Sequence, residues 1–188
     1  MSLFEIIAAA LGIISVFFST RQNVLAWPTS LINNVMYFVI FLNDRLVGLM
    51  GLQVFFGGIA MYGWYKWMFG KGTKLELKVS RIPAPLAFVL LLLAMIGTVG
   101  LFYLFRYYKD PAPFVDALLT SVSLLAQWMM ARKYFECWPV WVAINCVSVP
   151  FFLIRGNYPT GAQYAVFLVL AVMGTRNWWL SMKQNPAG

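Results

Sequence analysis

The sequence contains one pattern twice, and the second copy follows the first at a constant offset of 111 residues. A Trp-Pro pair begins each copy, and an Asn follows at the same distance in both. The matched pairs are Arg21 and Arg132, Trp27 and Trp138, Pro28 and Pro139, Asn34 and Asn145, Phe41 and Phe152, Leu42 and Leu153, Gly63 and Gly174, Trp67 and Trp178, with Glu5 matched by the carboxylate Asp116. The chain is therefore built from two homologous halves. In a membrane protein this organisation indicates a transporter whose site lies between the halves.

The composition places the chain in a membrane. Of its 188 residues 62% are hydrophobic and only 11% are charged, and the mean hydropathy is +0.76, whereas soluble domains carry about 25% charged residues. A helix needs about 20 apolar residues to cross a bilayer, and helices satisfy their own backbone hydrogen bonds there. We predict seven spans, at about 3–19, 27–43, 46–68, 85–105, 112–131, 138–154 and 159–180.

The seven predicted spans fit two parallel three-helix units joined by one extra helix. Three crossings invert the chain, so a fourth helix is needed before the second unit can repeat the orientation of the first. The span at 85–105 has no repeat partner and fits this role. We therefore predict an all-α integral membrane protein with seven transmembrane helices in a SWEET-like 3+1+3 parallel repeat. Its parts are a first repeat at 1–69, a cytoplasmic loop and linker helix at 70–108, and a second repeat at 109–188.

The basic residues predict the orientation of these spans. With the N-terminus outside, most of the 14 basic residues fall on the inner side, as the positive-inside rule requires. The inner group is Arg21, Lys66, Lys71, Lys74, Lys78, Arg81, Arg132, Lys133, Arg176 and Lys183, and the outer group is Arg45, Arg106, Lys109 and Arg155. We predict N-out and C-in. The net charge of +8 is then a topology signal that faces anionic membrane lipids and indicates no nucleic-acid partner.

Missing residue types restrict the chemistry. The chain has no histidine and only two cysteines, Cys137 and Cys146, and their spacing suggests neither a zinc site nor a disulfide framework. No nucleotide-binding glycine loop and no nucleophile–base pair is visible, so we predict no cofactor, no metal and no enzymatic activity. The acids Glu5, Asp116 and Glu136 lie near predicted helix ends. Because ion-coupled carriers usually place an acid within the membrane, the pattern favours passive movement.

Neutral polar residues within the spans are the candidates for binding a ligand. They are Asn34, Gln53, Thr120, Gln127, Asn145 and Gln163. A buried amide costs several kcal/mol if unpaired, so each must bond another helix, face water, or bind a ligand; hydrogen bonding between helices is the simpler alternative for any single residue. The matched pair Asn34 and Asn145 can point at the pseudo-symmetry axis from the same depth.

The two halves differ beside these amides. Trp138, Trp141 and Asn145 are spaced i, i+3, i+7 and share one helix face, whereas the first half has Ser30 where the second has Trp141. A one-sided aromatic ring suits a planar, asymmetric ligand. Five tryptophans lie at span ends, where we predict interfacial anchors; these are Trp27, Trp138, Trp67, Trp178 and Trp179. Gly63 and Gly174 are predicted to allow close helix contact.

Four features together resemble the PnuC family of vitamin transporters over about residues 3–180. They are the 3+1+3 plan, Trp138-x-x-Trp141-x-x-x-Asn145, Gly-Trp-Tyr-Lys-Trp at 63–67, and Asp116-Ala-Leu-Leu-Thr120. The resemblance implies a multi-pass facilitator in the bacterial inner membrane, related in fold to the SWEET sugar transporters. It implies import of nicotinamide riboside that is trapped by cytoplasmic phosphorylation. Thiamine, riboflavin or a sugar stays open as the substrate. We also expect a homo-oligomer, with a trimer as one candidate state.

For nicotinamide riboside, the resemblance and the residue chemistry suggest one arrangement. Trp141 would stack on the cationic pyridinium, and the amides of Asn34 and Asn145 would pair with the carboxamide. The ribose hydroxyls would contact Gln53, Gln127, Gln163 or Thr120. Glu5 and Asp116 either attract the cation at the entrance or form salt bridges with outer basic residues.

Overall fold

The computed structural model describes residues 3–43, 47–69 and 77–184, and these residues form seven α-helices. They are α1 (Leu3–Thr20), α2 (Ala26–Asn43), α3 (Val47–Phe69), α4 (Ala84–Tyr107), α5 (Pro113–Ala131), α6 (Cys137–Ile154) and α7 (Tyr158–Gln184). Each predicted span corresponds to one helix, and α7 continues four residues beyond its predicted end. Arg45, Lys71 and Lys74, which entered the prediction of orientation, lie outside the described residues.

Five of these helices are long and apolar enough to cross a membrane: α1, α4, α5, α6 and α7. The helices α2 and α3 are not among them, because α2 carries Thr29, Ser30 and three asparagines while α3 is rich in Gly, Trp and Tyr. Four exposed side chains of α2 are nevertheless apolar, at Ile32, Val35, Val39 and Leu42. Their three- and four-residue spacing forms a single stripe that suits contact with lipid. Asn43, the last residue of the helix, is also exposed, whereas Asn33 and Asn34 are half-buried outside this stripe.

The turns that follow α1 and α5 have the same backbone geometry. Gln22 and Lys133, which are 111 residues apart, adopt φ angles of 54° and 55°, in the left-handed region where helices commonly end. The next backbone N–H in each turn donates to a carbonyl five residues earlier, from Asn23 to Phe18 at 3.0 Å and from Tyr134 to Met129 at 2.9 Å. The repeat in sequence is therefore a repeat in local structure at these turns.

Six helices pack in a closed ring, in the order α1, α2, α3, α5, α6, α7 and back to α1. The helix α4 packs against α5 outside this ring. The hydroxyl of Ser121 on α5 donates to the carbonyl of Ala94 on α4 at 3.0 Å, and a Cβ on Gly97 would lie 2.7 Å from the Ser121 hydroxyl. This close contact holds α4 against the second half of the ring. In the order of the ring, α2 and α6 lie on opposite sides.

The helices α1, α3, α5 and α7 all finish at the same end of the ring, which we call the tryptophan end. The indole Nε1 of Trp67, near the end of α3, donates to the carbonyl of Ala131 at the end of α5 at 3.2 Å. The indole Nε1 of Trp178 on α7 donates to the carbonyl of Ser19 on α1 at 3.0 Å. Each bond joins one half of the molecule to the other.

Candidate functional site

Four buried indoles close the tryptophan end of the ring. The ring centroids of Trp27 and Trp67 are 5.2 Å apart, those of Trp138 and Trp178 are 5.5 Å apart, and Trp67 meets Trp178 at 6.1 Å. These four side chains are at most 4% exposed. The prediction that they are interfacial anchors is wrong, because they form the core of the protein at this end.

Two glycines make room for two of these indoles. A Cβ on Gly63 would lie 2.4 Å from the ring of Trp27, and a Cβ on Gly174 would lie 2.5 Å from the ring of Trp138. Real Cβ atoms do not approach so closely, so only glycine fits beneath each ring. The glycines were predicted to allow close contact between helices, and the structure gives that contact a specific form in which an indole of one helix lies on the backbone of the next.

Trp179 was also predicted to be an interfacial anchor, and this stays a prediction. Its half-buried ring lies 5.5 Å from that of Phe135. The guanidinium of Arg81 and the ammonium of Lys183 lie 5.1 Å and 5.0 Å from its centroid. Trp179 is therefore held between α7, the α5–α6 turn and the segment that precedes α4.

The helices α2 and α6, on opposite sides of the ring, hold buried polar groups that lack partners among the described residues. Among the described residues, the buried Nδ2 of Asn34 and the buried Nε1 of Trp141 have no hydrogen-bond acceptor. The same holds for Nε1 of Trp27 and Trp138. A buried donor left unpaired costs roughly 1–3 kcal/mol. These donors lie on opposite helices of the ring. They can therefore bind a ligand or a water molecule whose oxygen atoms act as acceptors.

The predicted face of α6 is present, with its residues at different depths of burial. Trp138 is fully buried, Asn145 is 2% exposed, and Trp141 is half-buried against the apolar core. The neighbouring Asn33 of α2 has a separate role, because its Nδ2 donates to the carbonyl of Ala8 on α1 at 2.6 Å. Asn33 thus links α2 to α1 by a hydrogen bond, whereas the side-chain amide of Asn34 on the same helix is available to bind a ligand.

The remaining predicted residues occupy three other helices. Gln53 on α3, Gln127 on α5 and Gln163 on α7 are half-buried. Thr120 on α5 lines a cavity of about 500 Å³ between α3, α4 and α5, whose other walls are nearly all apolar. Because α4 lies outside the ring, this cavity does not lie between α2 and α6. Thr120 is therefore the least favourably placed of the predicted residues.

Two tyrosines near the other end of the ring were missed from the sequence. Tyr164 on α7 stacks on Phe152 with the rings 5.2 Å apart and 7° from parallel, and its hydroxyl interacts electrostatically with Tyr37 and Asp116. The repeat offset could have indicated Tyr164, since it matches Gln53. Tyr37 follows Asn34 by three residues and shares its helix face. These residues extend the polar surface from the two amides toward the end of the ring opposite the tryptophans.

Asp116 lies in the first turn of α5 and has polar neighbours. Asp110 and Arg155 are the charged groups that act on its carboxyl group. Both alternatives for this acid, a salt bridge to an outer basic residue and attraction of a cation by Asp116 or Glu5, stay predictions.

Comparison with known proteins agrees with this architecture. A family profile described as nicotinamide mononucleotide transporter matches residues 2–180. The riboflavin/roseoflavin transporter RibM of Streptomyces davaonensis is 28% identical over an alignment of 185 residues that covers 96% of this chain and 86% of RibM. The nicotinamide riboside transporter PnuC of Escherichia coli is 26% identical over an alignment of 212 positions, gaps included, that covers 98% of this chain and 88% of that protein.

A solved structure has the same fold. The crystal structure of the vitamin B3 transporter PnuC superposes with a TM-score of 0.75 at 21% identity, covering 94% of this chain and 80% of that one. Several helices of the chain are apolar enough to span a membrane, as a multi-pass protein of the inner membrane requires. The chain belongs to the nicotinamide mononucleotide transporter family, the PnuC family of membrane transporters.

Proposed function

We propose that this protein imports nicotinamide riboside across the bacterial inner membrane by facilitated diffusion. The observation that carries the proposal is the pair of buried, unpartnered donors on opposite helices of the ring, Asn34 on α2 and Trp141 on α6. In a family of small-molecule transporters, such donors are suited to a ligand with oxygen acceptors. The PnuC relatives are named for nicotinamide riboside, which carries a carboxamide and ribose hydroxyls.

The proposed contacts follow from the chemistry of that ligand. The pyridinium ring is cationic and would stack on the face of Trp141, where a desolvated cation–π contact contributes about 2 kcal/mol. The carboxamide needs one donor and one acceptor from the protein, and an Asn amide offers both. Asn34 and Asn145 would supply them, while Gln53, Gln127 and Gln163, and less directly Thr120, would contact the ribose.

We further propose alternating access between two three-helix units in a parallel 3+1+3 repeat with the N-terminus outside. The units are residues 1–69 and 109–188, and residues 70–108 link them. In this orientation the tryptophan end faces the cytoplasm. Release of the ligand to that side would require Trp67 to separate from Trp178 and would break their bonds to Ala131 and Ser19, because all these contacts join the two units.

The positions of the acids support passive movement. Glu136 lies at the start of α6, where its carboxylate accepts a hydrogen bond from the backbone N–H of Ile82. Asp116 lies in the first turn of α5. Neither acid lies at the middle of a helix, where a proton or sodium ion would have to bind during a coupled cycle. Trapping by phosphorylation inside the cell would then draw import forward.

Riboflavin is the second candidate substrate, because RibM matches this chain at 28% identity and is named for riboflavin and roseoflavin. A flavin also presents a flat ring and carbonyl acceptors to Trp141 and the asparagines. Charge distinguishes the two ligands, since nicotinamide riboside is a cation and riboflavin is neutral. Thiamine and a sugar are further alternatives.

The test is calorimetric titration of the purified protein with nicotinamide riboside, riboflavin, thiamine and glucose. We expect the tightest binding for nicotinamide riboside. Asn145→Leu should weaken that binding strongly, because an unpaired polar group in a dry site costs about 1–3 kcal/mol. Tighter binding of riboflavin would replace the substrate proposal. Normal binding by Asn145→Leu with lower thermal stability would assign Asn145 to packing between helices.

A further inference from the structure

The segment before α4 is bound to the turn that begins α6. The backbone N–H of Ser80 donates to the carbonyl of Lys133 at 3.1 Å, and the N–H of Phe135 donates to the carbonyl of Ser80 at 2.9 Å. These two bonds form a short parallel bridge. Val79 beside it is only 3% exposed, so residues 77–83 form an ordered strap against the α5–α6 turn.

Glu136, the residue that precedes α6, holds this strap in place. The backbone N–H of Ile82 donates to its Oε2 at 3.0 Å, and Nη1 of Arg81 lies 3.4 Å from its Oε1. The Glu136 side chain makes no cap to its own helix, so its acceptors are directed at the strap. The bond from Ile82 to a carboxylate is charge-assisted and therefore strong, whereas the exposed ion pair with Arg81 contributes little.

Arg81 extends the attachment to α7. Its guanidinium lies 5.1 Å from the ring centroid of Phe135 on the turn and 5.1 Å from that of Trp179 on α7. Both distances are within the range of cation–π contact. The strap thus connects α4, the start of α6 and the last turns of α7.

Among the described residues, the first half has no counterpart of this attachment. The residue 111 positions before Glu136 is Leu25, which is 49% exposed. The α1–α2 turn instead closes on itself, with the N–H of Leu25 donating to Oδ1 of Asn23 at 2.9 Å. Of the matched helices α2 and α6, the strap therefore supports α6, which carries Trp141 and Asn145 five and nine residues after Glu136.

We propose that Glu136 is a positioning residue for the substrate site, which acts by fixing the start of α6 through the strap. The inference rests on the proposed function, because it takes Trp141 and Asn145 as ligand contacts. Glu136 lies outside the ring interior and does not touch the ligand. Its removal changes ligand affinity by loosening the helix that presents both contacts.

The experiment compares three single variants of the purified protein, which are Glu136→Ala, Glu136→Gln and Ile82→Pro. Hydrogen exchange over residues 77–83 and 133–137 reports docking of the strap without any ligand. Glu136→Ala removes the acceptor and Ile82→Pro removes the donor of the same bond. Both should speed exchange and raise the dissociation constant and KM for nicotinamide riboside roughly tenfold or more, as loss of a hydrogen bond to a charged group does, with the maximal transport rate unchanged.

Two variants serve as controls. Glu136→Gln keeps an oxygen acceptor for Ile82 but loses the charge that strengthens this bond and the weak ion pair with Arg81, so it should recover affinity to within about threefold. Leu25→Ala changes the matched position of the first half and should alter neither measurement.

The outcomes separate this inference from the proposed function. Faster exchange in Glu136→Ala with unchanged affinity would overturn the positioning role, as would unchanged exchange. If the unmodified protein bound none of the vitamins, the proposed function would fail and the inference with it. If Glu136→Ala does not fold, Ile82→Pro carries the same test with the carboxylate intact.

Discussion

The two halves of the molecule share their framework but differ where a ligand would bind. At the tryptophan end, Trp27 lies on Gly63 as Trp138 lies on Gly174, and each half donates an indole bond to the other. Farther along α2 and α6 the match ends, because Ser30 corresponds to Trp141. The difference indicates that the repeat preserves packing and closure, while divergence between the copies would make the proposed site asymmetric.

The attachment of the linker follows the same asymmetry. Both α4 and the strap are hydrogen-bonded to the second half, through Ser121 and Glu136. The half that carries the extra tryptophan is thus also the half with additional support. Substitutions at matched positions can test each side of this comparison.

The largest effect is expected from removing the buried indoles. Trp27→Ala and Trp138→Ala should each lower the free energy of unfolding by about 3–5 kcal/mol, since each empties a fully enclosed site. Unfolding in detergent micelles measures the loss, with the lipid-exposed Phe88→Ala as the control of little effect. If one substitution lowered the free energy of unfolding much more than the other, the two halves would not be packed equivalently.

The matched glycines should show the next largest effect. Gly63→Ala and Gly174→Ala place a methyl group against an indole and should cost about 1–3 kcal/mol each, as overpacking does. The control is Gly58→Ala on α3, where a Cβ meets nothing within 4 Å and alanine favours the helix. Thermal unfolding of the three variants gives the comparison. Equal stability of Gly63→Ala and Gly58→Ala would contradict the close contact.

The difference between the halves should appear in ligand affinity. Trp141→Ala should weaken binding of nicotinamide riboside by about 1–2 kcal/mol, the size of a lost desolvated cation–π contact. Ser30→Ala at the matched position should leave the affinity nearly unchanged. Titration calorimetry measures both. Equal losses at the two positions would mean that the site is symmetric.

The smallest effect is expected from the indole donors that join the halves. Trp67→Phe and Trp178→Phe keep an aromatic ring but remove the N–H bonds to Ala131 and Ser19. Each should lower the free energy of unfolding by about 1 kcal/mol, the net contribution of one hydrogen bond. The two values should agree in a chemical unfolding series, and a clear difference would show that the closures are unequal.

The helices could be predicted from the sequence, because apolar runs of membrane length have few other structures available. The predicted span 85–105 became α4 (Ala84–Tyr107), for example. The location of Trp67 and Trp178 could not be predicted from hydropathy. A tryptophan at a span end has the same local pattern in an interfacial belt and in a buried cluster, and only packing between halves distinguishes them. The Gly-to-Trp spacing, repeated in both halves, was the available signal.

The candidate site was predictable only in part. The spacing of Trp138, Trp141 and Asn145 fixed their shared helix face, and the repeat matched Asn34 to Asn145. Which of two adjacent amides was already bonded depended on tertiary contact, and the structure assigns that bond to Asn33. Docking of residues 77–83 was also hidden, because a loop that pairs with a distant turn leaves no periodic pattern.

Uptake of labelled nicotinamide riboside into proteoliposomes tests passive transport by this protein most directly. The vesicles contain no kinase, and the membrane potential is held at zero so that the charge of the substrate exerts no force. We predict that uptake stops at equal concentrations inside and outside, and that proton or sodium gradients leave the initial rate unchanged. Accumulation above the external concentration, driven by either gradient, would contradict a facilitated-diffusion transporter.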